Sequence, residues 1–173
     1  VLDTFDRKAK YYEPPEDQKA VNPNYATGEY KWRNNCQRCV STYELRRRGY
    51  DVTAKPLPGK LNEDYLAQWF EHAWKNAERK LCLSGSGKEQ VEDYMKRWGN
   101  GSRAVVGVSF TPESGHVFFV ELIDGKAVYV DPQNPSTDCS VYFKRATKGL
   151  TYITRVDNLQ PSDNIADCCE NRR

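Results

Sequence analysis

Three side chains, far apart in the chain, have the types that nucleophilic acyl transfer needs: Cys36, His116 and Asp131. Cys36 opens the stretch Cys36-Gln37-Arg38-Cys39-Val40 and follows Asn34-Asn35. Asn is a favoured N-cap, and Gly49 is the residue type that commonly lies just past a helix end. The stretch therefore predicts a helix that carries a thiol in its first turn. A thiol there sits among backbone N–H groups with no intrahelical partner, at the positive end of the helix dipole, and such surroundings favour a thiolate. Cys36 is thus a candidate nucleophile. A lone cysteine is more often a small buried hydrophobe, so the base and its orienting acid have to come from elsewhere in the chain.

They come from a predicted hairpin. His116 to Ile123 and Lys126 to Asp131 flank Asp124-Gly125, a strong two-residue turn signal. Counting outward from that turn pairs Ile123 with Lys126, Phe118 with Asp131, and His116 with Gln133. Directly paired residues share a face, as do residues two apart along a strand, so His116, Asp131 and Gln133 project on one side. His116 and Asp131 are diagonal neighbours, about 7–8 Å apart at the backbone, which lets an imidazole reach a carboxylate. In the functional reading, His116 Nδ1–H bonds to Asp131 and Nε2 takes the proton of a thiol. The competing reading is a satisfied histidine at a strand start and an aspartate capping the turn before Pro132. Gly115 allows close approach of backbone or substrate beside His116.

The elements that must position these groups follow from pattern and punctuation. Residues 1–33 are polar and broken by Pro14-Pro15 and Asn22-Pro23, and read as an extended arm or linker. After the Cys36 helix, Tyr50 to Lys55 reads as a short strand. From Leu61 to Leu81 the apolar residues recur at helical spacing, with His72 off the stripe and exposed. Residues 82–88 fail as a phosphate loop, because Cys82 and Glu89 stand where glycine and Ser/Thr are required, and read as a turn. A helix bearing Val91, Tyr94, Met95 and Trp98 stops at Gly99. Ala104 to Phe110 reads as a buried strand, with further strands at Val141 to Lys144 and Tyr152 to Val156. Helices first and an antiparallel sheet second predict an α+β fold, with a catalytic domain over residues 34–158 and a loose polar tail over residues 159–173.

Composition bounds the function. The 173 residues suffice for one ordinary domain with a real core. The 26 basic and 24 acidic residues leave a net charge of +2, so no nucleic-acid or membrane-surface affinity is expected. The run Glu44-Leu45-Arg46-Arg47-Arg48 reads as the solvated face and end of a helix. No signal peptide or membrane-spanning run is expected in this chain. Six cysteines are too few for a disulfide scaffold. Cys36-Gln37-Arg38-Cys39 has the spacing of half a zinc site but lacks the second ligand pair, so neither a metal nor a redox role is expected.

In combination, these residues resemble a known family. Asn35-Cys36, Cys39-Val40, Glu44, Arg48-Gly49-Tyr50-Asp51-Val52, Ala54, Gly115-His116-Val117-Phe118, Asp124-Gly125 and Asp131-Pro132-Gln133 are similar to the papain-fold toxin domains of bacterial polymorphic toxin systems. Related domains occur in phage-type head proteins. The resemblance implies a papain-like fold, with the nucleophile on N-terminal helices and His and Asp on an antiparallel sheet. It implies a Cys36-His116-Asp131 triad that deamidates a protein glutamine, with no cofactor. It further implies a secreted or injected effector that acts in the target-cell cytoplasm on a protein carrying a glutamine, and a cognate immunity protein. Alignment with papain proteases themselves makes Cys39 the alternative nucleophile. Oxyanion or substrate-positioning candidates are Asn34, Asn35 and Gln133. Two other functions stand beside deamidation: a cysteine protease using the same triad, and a non-catalytic interaction domain of a phage-like particle or larger toxin.

Overall fold

The computed structural model describes residues 2–59 and 69–172. In chain order its regular elements are α1 (Pro14–Val21), α2 (Tyr30–Arg33), α3 (Cys36–Arg47), β1 (Val52–Ala54), β2 (Lys80–Cys82), α4 (Lys88–Trp98), β3 (Arg103–Thr111), β4 (Ser114–Ile123), β5 (Lys126–Val130), α5 (Ser140–Arg145), β6 (Thr151–Arg155) and β7 (Cys169–Asn171). They form two compact units. The first is the N-terminal part of the chain up to Asn76, with Pro132–Ser136 and the segment from Gln160 onward; the second is Ala77–Asp131 with Thr137–Leu159.

The first unit is built on α3. Cys39, Val40, Tyr43 and Leu45 of this helix have no exposed surface. The helix ends where expected. Gly49 has φ +104°, Gly49 N donates to Arg46 O and Tyr50 N to Leu45 O, which closes the last turn with the paired bonds of a glycine C-terminal motif. The segment expected as an extended arm is instead folded. Pro14 opens α1, where its missing N–H costs nothing, a capping box joins Glu13 and Glu16, and Val21 is fully buried. The tail is also fixed. β7 pairs antiparallel with β1, Val52 opposite Asn171 and Ala54 opposite Cys169, and Ile165 is fully buried.

The basic run at the end of α3 is not a solvated face. Arg46 is 1% exposed. Its Nε donates to Asp17 Oδ1 at 3.0 Å, and its Nη1 to Asp51 Oδ1 at 2.8 Å and to Val52 O at 3.1 Å. Asp17, fully buried, also receives Lys8 Nζ and Arg47 Nη1, each at 3.0 Å from Oδ2. Guanidinium can enter the interior here because its fork is met by two carboxylates and a carbonyl.

The second unit is an antiparallel sheet in the order β2-β6-β3-β4-β5. Ala104, Val106 and Val108 of β3 share a face with Phe118, Val120 and Leu122 of β4, Ala104 opposite Val120 and Val106 opposite Phe118, in one core that also holds Val91 and Met95 of α4. The hairpin register is as counted from Ile123 paired with Lys126 out to Phe119 paired with Val130, while the counted pairs Phe118 with Asp131 and His116 with Gln133 lie beyond the end of the ladder. Asp124 and Gly125 have φ +49° and +77°, as a two-residue turn of this kind requires. Gly115 lies so close to β3 that a Cβ would sit 2.5 Å from Val108 O.

Two expectations are overturned here. The helix expected from Leu61 to Leu81 lies partly outside the described residues. Within them, Phe70–Ala73 is only a 3-10 turn, Asn76 has φ +61°, and Lys80–Cys82 is a strand paired with β6. The helical spacing came from Phe70, Ala73 and Trp74, which are buried by the turn, and from Leu81, which is 60% exposed. The strand expected at Val141 to Lys144 is helix α5. Asp138 Oδ1 accepts from Ser140 N at 2.9 Å and starts the turn, and the neighbours Tyr142 and Phe143 are both buried, as adjacent strand residues on opposite faces would not be in one core.

Candidate active site

Cys36 is the first residue of α3, with Asn35 as its N-cap. The backbone of Asn35 serves the helix start, since its carbonyl accepts from Arg38 N and Cys39 N, both at 3.0 Å. Its side chain does not cap the helix. Buried with 1% exposure, it donates to Asn22 Oδ1 at 3.0 Å and to Lys55 O at 3.1 Å. Asn22 in turn donates to Trp32 O at 2.9 Å and to Gln133 O at 3.0 Å. This network ties the approach to α3, the end of β1 and the segment after Asp131 into one frame. Both amide hydrogens of Asn35 are engaged in it, so its side chain has none left for an oxyanion. Asn34 is exposed and donates to Tyr30 O at 2.9 Å. Gln37, one residue into the helix, accepts from Phe70 N at 2.8 Å.

The six cysteines are all free thiols, and they separate sharply by burial. Cys36 is part-exposed, while Cys39, Cys82, Cys139, Cys168 and Cys169 are buried. Burial pushes the thiols of Cys82 and Cys168 up to about 11. Burial, with the charges of Asp131 and Asp138 beside it, pushes Cys139 up to about 12. Cys39 has no exposed surface and packs inside α3's core face.

In the second unit the hairpin brings His116 and Asp131 together. His116 Nε2 lies 3.1 Å from Asp131 Oδ2, with the imidazole 9% and the carboxylate 0% exposed. The strand ladder ends at Phe119 and Val130, and Asp131 reaches back diagonally from just past β5. The ring nitrogen at the carboxylate is Nε2, where Nδ1 was expected. A diagonal partner approaches the far end of the ring, which exchanges the roles of the two nitrogens. Phe118 stacks nearly parallel to the imidazole, at 16° between planes.

A residue that sequence reasoning passed over completes this half. Tyr142 of α5 donates its hydroxyl to the same Asp131 Oδ2, and its ring centroid lies 4.6 Å from that of His116. Its phenol pKa is raised by burial first and then by the Asp131 charge and hydrogen bond. The signal was present in Asp138-Cys139-Ser140, which has the polar types of a helix start; a helix there turns Tyr142 toward the core side. Among the described residues no group of three or more His, Cys, Asp or Glu side chains is placed to hold a metal ion.

A buried carboxylate that orients an imidazole is the base half of a nucleophilic site, and a part-exposed thiol at a helix N-terminus is a nucleophile's setting. Both halves lie within residues 34–135, which match the family described as Papain fold toxin 1, glutamine deamidase. The match covers more than half of the 173 residues, and the chain belongs to this family of papain-fold toxins. Its helices and antiparallel sheets are those of a papain-like α+β fold. No curated protein and no solved structure matches the chain. No helix among the described residues is long and apolar enough to cross a membrane.

Proposed function

We propose that the chain is a secreted effector that converts a glutamine side chain of a target protein to glutamate, with Cys36 as nucleophile, His116 as acid and base, and Asp131 as the group that orients His116. The observation that carries this reading is the His116–Asp131 pair itself, 3.1 Å apart on a hairpin within the family match. The choice of thiol is supported by burial, since Cys36 is part-exposed and Cys39 is not exposed at all.

In the proposed reaction, Nε2–H of His116 is held by Asp131 and Nδ1 takes the Cys36 proton. The thiolate attacks the carboxamide carbon of the glutamine. The resulting oxyanion is met by N–H groups at the start of α3, where helical geometry leaves donors unpaired. Protonated His116 gives its proton to the departing nitrogen, the C–N bond breaks, and ammonia leaves a thioester behind. Water then loses a proton to His116 as it adds to the thioester; the C–S bond breaks and the thiolate returns. The target gains a carboxylate where it had a neutral amide, a change that disrupts an interface in which the amide was buried. Such a toxin calls for a neutralising partner in the cell that makes it, and we place a cognate immunity protein in that role.

The test is expression of the chain in bacteria, as it stands and as Cys36→Ser and His116→Ala. Loss of toxicity in both variants, with glutamine-to-glutamate conversions found only with the unmodified chain, is the expected result. New peptide termini in place of conversions would mark a protease, and conversions that persist in Cys36→Ser would shift the nucleophile to Cys39 or end the proposal.

A further inference from the structure

The mechanism above asks Asp131 only to accept one hydrogen bond, yet its Oδ2 accepts two. His116 Nε2 and the Tyr142 hydroxyl converge on that one oxygen, and the Tyr142 ring packs across the imidazole at 4.6 Å and 51°. We propose that Tyr142 is the positioning residue of the pair: it locks the Asp131 carboxylate and so fixes the tautomer and plane of His116. This rests on His116 being the base of the proposed deamidation.

Three features carry the argument. First, the carboxylate is fully buried and lies just past the end of β5, outside the strand ladder. A side chain there can turn about its own bonds, and a second donor from another element, α5, on the oxygen that His116 uses restrains that turning. Second, Tyr142 is itself held. Thr137 hydrogen-bonds its side chain, and its ring lies 5.2 Å from Phe118 and 6.1 Å from Phe110. Third, burial and the Asp131 charge raise the phenol's pKa, so the hydroxyl stays a donor wherever the carboxylate is ionised. A tyrosine placed merely to fill the core has no need to aim its hydroxyl at the oxygen His116 uses.

Tyr142→Phe keeps the ring packing and removes only the donor. The chain has two histidines, and His72 is exposed, so nitrogen–proton spectra of the full chain report His116 separately. The unmodified chain should show a slowly exchanging Nε2–H on His116. In Tyr142→Phe that proton should exchange about tenfold faster, in line with loss of one hydrogen bond to a charged group. On a peptide bearing a glutamine that the unmodified chain converts, kcat should fall by a similar factor with KM unchanged. Should Tyr142→Phe fail to fold, Thr137→Val, which loosens the same hydroxyl, carries both measurements. Unaltered exchange and kcat in the folded variant overturn the proposal, as does an Nδ1–H tautomer in the unmodified chain. If no form of the chain converts glutamine, the deamidase reading fails on its own, and the exchange rates still decide what Tyr142 does.

Discussion

Cys36 and Cys39 are three residues apart on one helix, yet they meet different solvents. Cys36 heads α3 and is part-exposed, whereas Cys39 lies one turn further along and has no exposed surface. The remaining four thiols are buried as well. Iodoacetamide added to the folded chain should therefore label Cys36 first, and peptide mapping by mass spectrometry should find the other five only after denaturation. Early label on Cys39 would reverse the assignment of nucleophile. At this scale the chemistry was legible from spacing, because a two-residue turn signal fixes register and register fixes which side chains meet; His116 and Asp131 follow by counting from Asp124-Gly125. The nitrogen that faces Asp131 was not legible, since it depends on the diagonal reach of the carboxylate. Tyr142 was missed for a different reason. Val141, Tyr142 and Phe143 have strand-forming types, and the helix that turns them comes from Asp138 capturing Ser140 N.

Among the elements, the glycine-rich turn before α4 shows how a motif can look chemical and be mechanical. Gly87 is the N-cap of α4 with φ +82°, and a Cβ there would lie 2.7 Å from Thr151 Cβ and 2.9 Å from Cys82 O. The turn brings α4 down beside β2 and β6, where the Thr151 side chain and the Cys82 carbonyl leave no room for a side chain. Thr151 Oγ1 donates to Ser86 O at 2.7 Å and pins the same turn to β6. Gly87→Ala should cost about 1–3 kcal/mol from overpacking and the left-handed backbone, read as a drop in denaturation midpoint with the slope unchanged. A cost near zero would mean that the turn relaxes freely. The buried Arg46 makes a related point about α3. Its charged run had the look of a helix's outer face, and only the carboxylates of Asp17 and Asp51, which come from other elements, bring it inside. No local pattern carries that information.

On the scale of the molecule, the charged cluster joins stretches that are distant in sequence. Lys8, Asp17, Arg46, Arg47, Asp51 and Arg172 form a continuous chain of ion pairs across the first unit. Burial opposes ionisation of Asp51, but its hydrogen bonds to Arg46 and Arg172 and their charges outweigh this, so its pKa falls below the ordinary 3.8. A carboxyl with a lowered folded-state pKa stabilises the fold above its unfolded value, and that contribution is lost as pH falls through the folded value. The stability gap between the unmodified chain and Asp51→Asn should hold steady from neutral pH down to about 3.8 and close below it. Denaturant titrations at a series of pH values measure this, and a gap indifferent to acid would show that Asp51 is not held as an anion. The pairing of β1 with β7 has a temporal meaning too. Val52 waits for Asn171, and Cys169 and Ile165 join the core from the same late stretch of the chain. During synthesis, α3 and the thiol at its head therefore lack part of their support until β7 arrives, a long-range closure of the kind that folds slowly. That order of assembly delays the finished first unit, and the support of the thiol it carries, until β7 has been made.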